Sequence, residues 1–253
     1  YIDGSSASNS GLNTAIGSAH GIAVDAVNES RIVSVSIGVA AAVAVGQGFA
    51  GAGAGAGSGN TIGGSVEATL KNVIPLNNGY IAGDVRVNAE NTGSIVTVAG
   101  ALAVAVSAGG MGAGASVGVS VAISEISTTV RALVENSVIW TNGTGQGVTV
   151  SASDRATITA IAVGGAVSVQ AGSAGVAIAV GTSVAVNKVF NTVHADIRGG
   201  DIQTAGAGLS VSANQQAGIL SVVLGASVAV SVGDSANAAI GGGGALARNV
   251  ISA

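Results

Sequence analysis

The chain of 253 residues is one unit written four times in the same phase. Alternating stretches that close on alanine mark the phase: Val66-Glu67-Ala68, Val130-Arg131-Ala132, Val193-His194-Ala195 and Ile251-Ser252-Ala253. They cut the sequence into units 1–68, 69–132, 133–195 and 196–253. Within the units Val24, Val87, Val150 and Val211 each precede an isoleucine at the same interval, at Ile32, Ile95, Ile158 and Ile219. A glycine recurs early in each unit, at Gly11, Gly79, Gly143 and Gly206. Self-similarity at a long fixed period is the mark of a solenoid, in which each unit is supported mainly by its neighbours. One elongated body of four tandem units is therefore expected.

The next question is what each unit is made of. Charged residues are absent from 32–66, 91–124, 156–187 and 202–233, windows long enough for transmembrane helices by length alone. Their pattern is that of strands. In 101–106 Leu102, Val104 and Val106 alternate with Ala101, Ala103 and Ala105, a period of two. Glycines such as Gly109, Gly110, Gly112 and Gly114 weaken a helix interior, and the flanks lack aromatic belts and basic clusters. Further strands are read at 147–152, 156–163, 174–180, 183–190 and 192–198, with turns built on Asn78-Gly79 and Asn142-Gly143 supplying positive φ. The fold class is thus all-β, and the favoured architecture is a right-handed parallel β-helix, or β-solenoid, of four tandem units of about 63 residues. Dividing each unit into about three coils of roughly 21 residues, stacked about 4.8 Å apart, predicts a rod of roughly 55–60 Å. Two larger coils per unit fit the number of strand-like stretches as well.

Composition narrows the function classes. Only 8% of residues are charged and 2% aromatic, with 42 glycines, one proline and no cysteine. Abundant β-branched residues at low net charge separate the chain from disordered ones, and the collagen period is missing. A net charge of −4 with eight Lys and Arg argues against nucleic acid as partner. No disulfide or thiolate metal site can form, and no cofactor is expected. His20 and His194 do not make metal-ligand spacing, and the run Gly241-Gly242-Gly243-Gly244-Ala245 lacks the aspartate of calcium-binding nonapeptides. Asn28-Glu29-Ser30 and Asn142-Gly143-Thr144 fit the glycosylation pattern, which is common by chance.

In the charge-free windows the second strand face is alanine, glycine and serine, not the polar face of a solvated strand. Residues 51–58 (Gly-Ala-Gly-Ala-Gly-Ala-Gly-Ser) are similar to the crystalline repeat of silk fibroin. Such a face admits either a neighbouring sheet or the opposite wall of a thin coil. One cluster invites a catalytic reading: His194, Asp196 and Arg198 share a strand face, with Asp201 close behind. The alternative is a polar outward edge, because the matching positions hold Glu67 and Lys71, then Arg131 and Glu135. If equivalent residues lay on adjacent rungs, Lys71, Glu135 and Arg198 would form a ladder of alternating sign; three coils per unit would hold them apart.

The segment 183–197 (Ser-Val-Ala-Val-Asn-Lys-Val-Phe-Asn-Thr-Val-His-Ala-Asp-Ile), with Gly208-Leu-Ser-Val-Ser-Ala213 and Val148-Thr-Val-Ser-Ala152, resembles the repeats of very large bacterial exoproteins of the leukotoxin-like and filamentous-haemagglutinin-like kind. That resemblance implies a right-handed β-helical rod, export to the cell surface or medium, and a role in adhesion or extracellular structure. The resulting expectation is a non-enzymatic structural segment of a giant extracellular or cell-surface protein, continuing at both ends into further repeats and forming a fibre, sheath or stalk. Its partners would be copies of itself, with a host or surface glycan or protein as a further possibility and no membrane span. An adhesin stalk carrying its binding tip elsewhere, and a carbohydrate-active β-helix enzyme using the His194 to Asp201 edge, are the competing readings.

Overall fold

The computed structural model describes residues 1–3, 14–16, 21–75 and 79–252, and these are strands and turns without a helix. The first unit supplies β1 (Ile2–Asp3), β2 (Thr14–Ile16), β3 (Ile22–Asn28), β4 (Arg31–Val45) and most of β5 (Gly48–Lys71). The second supplies β6 (Val73–Pro75), β7 (Val85–Asn91) and most of β8 (Ser94–Thr141). β9 (Gly147–Asp154) and β10 (Thr157–Phe190) belong to the third, and β11 (Thr192–Thr204) crosses into the fourth. The chain closes with β12 (Gly208–Gln215), β13 (Gly218–Val232) and β14 (Asn237–Ser252).

All ladders are parallel, and the interval between partners is the sequence period itself. Ile32, Ile95, Ile158 and Ile219 lie side by side, as do Val24, Val87, Val150 and Val211. Ala68, Ala132 and Ala195 form a third row. Each unit therefore gives one strand to each ladder, and the expectation of three coils per unit is corrected. Four strands abreast at about 4.8 Å make the stack roughly 15–20 Å across, not 55–60 Å. The strand-like stretches inside a unit are consecutive segments of one long path, bent at glycine and asparagine, not successive rungs. The fourth alanine anchor does not join its row either: Ile251 pairs with Val189 and Ser252 with Phe190, four positions ahead of Val193 and His194. Ala253 itself, with Gly11, His20 and Asn78, lies outside the described residues.

Each repeat has two parts. The first is a body with a conventional aliphatic core. Sheet β12-β9-β7-β3 packs Val24, Val85, Val87 and Val150 against Val66, Leu70, Val130, Val134 and Ile139 from the far ends of β5 and β8. The core residues from β5 to β9 are buried and their alternate neighbours are mostly polar, as a one-sided sheet requires. The body turns a corner at Asn72 (φ 52°) and Asn136 (φ 49°), with Gly199 (φ 68°) beside Asn136. Asparagine tolerates the left-handed region better than other side chains, and glycine is free of its cost. At the later turn the positive φ falls on Gly145 and Gly208, not on Gly143 as expected, and Gln146 Oε1 accepts a 2.9 Å bond from the Gly143 amide.

The second part is a thin two-walled blade that holds most of the charge-free windows. One wall runs outward from the body (β4, 94–108, 157–171 and β13), and the other returns (48–62, 112–126, 175–189 and β14). At the tip the chain reverses through Gly46 (φ 100°), Gly109 (φ 147°), Gly172 and Gly233. A side chain at Gly109, Gly172 or Gly233 would collide with the backbone of the glycine one repeat earlier. Halfway along, the walls nearly touch. A Cβ on Gly38, Gly164, Gly181 or Gly225 would lie 2.0 Å from a carbonyl oxygen of the facing wall, and one on Gly118 would lie 2.1 Å away. Those glycines are needed for space, since none has a positive φ.

This narrow gap sets which face is inside. Ala99, Ala101, Ala103 and Ala105 are buried between the walls with Ala54, Ala122, Ala160 and Ala185. Ser34 and Ser58 share a 2.7 Å hydrogen bond across the gap, and Thr97 and Ser124 one of 2.9 Å. Of the two readings of the small-residue face, the opposite wall of a thin interior is the one the burial supports. In the silk-like segment Ala52, Ala54 and Ala56 point inward and Gly51, Gly53, Gly55 and Gly57 outward.

Candidate interaction surface

Because the small residues line the gap, the larger ones are turned out. On the outgoing wall the outward positions stack in rows: Val33-Val96-Thr159-Leu220, then Val35-Val98-Ile161-Val222, and further out Val43-Val106-Val169-Val230. Beyond the first residue, Arg31, no outward position of this wall carries a charge. Exposure is 72% at Ile37, 70% at Val39, 44% at Leu102 and 56% at Leu224, where a globular protein would bury such side chains. Across the middle, the rows Ile37-Gly100-Val163-Leu224 and Val39-Leu102-Gly165-Ala226 set glycines diagonally among large residues. The result is a recess of about 400 Å³ floored by Gly100 and Gly165 and rimmed by Ile37, Val98, Leu102 and Val163.

The return wall is less uniform. Its outward positions are mostly glycine along β5 beyond Phe49, mostly valine and isoleucine along the two central strands, and include Ile240, Leu246 and Arg248 on β14. Near the body it carries Lys188 and Glu125 as register partners, 3.9 Å apart.

Polar chemistry is concentrated on the body. Pairing by one unit places Lys71 opposite Glu135 and Glu135 opposite Arg198, so the ladder that three coils would have broken is present. Lys71 Nζ lies 2.7 Å from Glu135 Oε2, each side chain about 30% exposed. The hydrogen bond from Lys71 holds the Glu135 carboxyl below its ordinary range, and the same bond raises the Lys71 ammonium above its own. Glu67, Arg131 and His194 form a second row on the same face, with Thr69, Leu133 and Asp196 between the two. Arg155 Nη1 lies 2.6 Å from Glu90 Oε1.

The residues singled out for catalysis sit in this setting. His194 is exposed beside Arg131, Arg198 Nη2 donates to Asp196 Oδ2 at 2.9 Å, and Asp201 Oδ2 accepts from Trp140 Nε1 at 3.1 Å and Gln203 Nε2 at 2.9 Å. Asp201 is thus joined to residues on its own and the next strand, not to His194. Asn142 of the second glycosylation pattern is exposed in its turn, whereas the Asn28 amide donates to Asn91 Oδ1 at 2.7 Å.

That last bond begins a buried polar column that sequence reasoning missed. Asn28, Asn91 and Asp154 are register partners where the body meets the blade. Asn91 Nδ2 donates to Asp154 Oδ1 at 2.6 Å, Asn191 Nδ2 to Asp154 Oδ2 at 2.8 Å, and the Thr128 amide to Asn191 Oδ1 at 2.8 Å. Asn91 and Asp154 are wholly buried and Asn191 nearly so. The signal was available: Asn28, Asn91 and Asp154 recur at an interval of 63, each four residues after a valine of the Val24 row. Among the described residues no group of three His, Cys, Asp or Glu side chains is arranged to hold a metal ion, and no helix is long and apolar enough to cross a membrane. The chain matches no protein-family model, no curated protein and no solved structure.

Proposed function

We propose that this chain is a structural, non-enzymatic segment of a giant extracellular or cell-surface protein, wound as a right-handed parallel β-helix with one coil per unit. The observation that carries this reading is the identity of sequence period and pairing interval: Ile32, Ile95, Ile158 and Ile219 repeat because they stack. A sequence held to one period by stacking is under selection for extension along one axis, which is what a fibre, sheath or stalk requires. The right-handed sense follows from the strong preference of parallel crossovers for that hand. The resemblance of 183–197 and 208–213 to exoprotein repeats supports a surface location. The open ladders of β4 and β13 suit addition of further coils on either side.

Electron microscopy of the native parent material tests this. The expected image is an unbranched rod or filament with a 4.7–4.8 Å axial reflection from the stacked strands. Compact particles without that spacing would overturn the proposal. Polysaccharide turnover by the unmodified chain, lost on replacing His194 and Asp201 by alanine, would overturn its non-enzymatic part.

A further inference from the structure

We infer that the outward face of the outgoing wall is a lateral contact surface whose occupant is the same face of a second copy of this chain. This rests on the blade geometry and goes beyond axial stacking, so either can fail without the other. The sequence left the small residues open to a neighbouring sheet or to a thin interior; their burial leaves contact with a neighbouring sheet to the opposite face.

Size is the first argument. The outward positions from Val33 to Val45 make seven rows at alternate residues, each four strands wide. At about 6.6 Å per row and 4.8 Å per strand the face is roughly 45 by 19 Å, or about 850 Å². A stable protein interface buries about 800 Å² on each partner, and apolar patches on monomers rarely exceed 300–600 Å². Shape is the second. Leu102 and Val163 stand beside the recess over Gly100 and Gly165, near the centre of the face. A two-fold related copy presents large side chains to recesses and recesses to large side chains, as an isologous contact requires.

Lipid fits the face less well. The backbone groups on the outer edges of β4 and β13 have no partner strand among the described residues, and hydrocarbon would leave them unsatisfied. The Tyr and Trp side chains that anchor sheets at a bilayer surface belong to the body (Tyr80, Trp140) or to its first residue, Tyr1, not to the blade.

Sedimentation velocity of the unmodified chain across the micromolar range tests the inference. Reversible association is expected, weakened about tenfold or more by Leu102→Glu with Val163→Glu, because two charges would enter a dry contact. Gly100→Trp fills the recess from a position where an added Cβ meets nothing within 4 Å, so it should weaken association while the circular dichroism of the strands is unchanged. The chain has no cysteine, so Leu102→Cys should yield a covalent dimer on oxidation and Glu67→Cys, on the body, should not. A monomer at all these concentrations, association indifferent to both face variants, or saturable binding to phosphatidylcholine vesicles would overturn the inference. Rods of single width with intact axial spacing would remove the lateral contact and leave the structural reading standing.

Discussion

At the residue scale the fold is governed by where a methyl group can be tolerated. The carbonyl of Thr182 would lie 2.0 Å from a Cβ on Gly164, and that of Ala226 2.0 Å from one on Gly181. Since the neighbour is backbone, relief requires the walls to part. Gly164→Ala and Gly181→Ala are expected to destabilise by about 1–3 kcal/mol, the range of overpacked cores. Gly53→Ala is the control. Its Cβ meets nothing within 4 Å, and removing glycine's extra freedom in the unfolded chain should be neutral or stabilise by up to about 1 kcal/mol. Urea denaturation of the three variants checks the contrast; equal effects would mean the narrow gap is not what demands glycine. Asp154 poses the complementary case, a buried acceptor shared by two buried amides. Asp154→Ala strands both donors and should cost about 3 kcal/mol or more, while Asp154→Asn, which keeps one acceptor, should cost less. The same denaturation measurement decides.

At the element scale the strands were legible and their folding-back was not. Period-two alternation in 101–106 and the rows begun by Val24 and Ile32 follow from the sequence, because alternation and stacking both leave a residue-type record. The pairing interval leaves none inside a unit. In β8 the buried positions pass from odd numbers up to Ser107 to even numbers from Gly114, so the reversal at Gly109 is marked only by a change of parity among glycines that are frequent everywhere. Inside and outside were equally ambiguous, since hydrophobicity would bury Leu102 and Val104, whereas the narrow gap admits only their alanine neighbours. The charge ladder was misjudged for the same reason: Lys71 and Glu135 pair only when a unit is one rung. Their titration gives a test. Glu135, lowered in the fold, contributes stability above the ordinary carboxylate range and loses it as pH falls through its folded value. Lys71, raised in the fold, contributes below the ordinary lysine range and loses its share as pH rises through its folded value. Glu135→Gln should therefore lower the melting temperature slightly at neutral pH and not at all in acid below the folded value of Glu135. A pH-independent difference between variant and parent would mean the pair stabilises by packing alone. The effect will be small, because both side chains meet solvent.

At the scale of the molecule, phase decides whether stacked repeats behave as one body. Ile2 pairs with Leu70, which shares its row with Val134 and Ile197, and Ser252 pairs with Phe190. From Phe190 to Ile197 is seven positions along the chain. Joining two copies directly, Ser252 to Ala253 to Tyr1 to Ile2, supplies three. A tandem fusion is therefore four residues short, and the second copy's Ile2 could not reach the row of Ile197. Inserting Ser-Val-Glu-Ala, the residues found at 65–68, restores the phase and offers the next row a valine and an alanine facing the core. In a one-dimensional array each added interface stabilises its neighbours, and units that share an interface unfold together. The phased fusion should melt in one transition above the single copy, because the open edge of β13 gains a partner in the second copy's β4. The direct fusion should keep the melting temperature of the single copy, its two halves unfolding independently. Differential scanning calorimetry distinguishes them, and a direct fusion as stable as the phased one would show that this four-residue step does not control stacking.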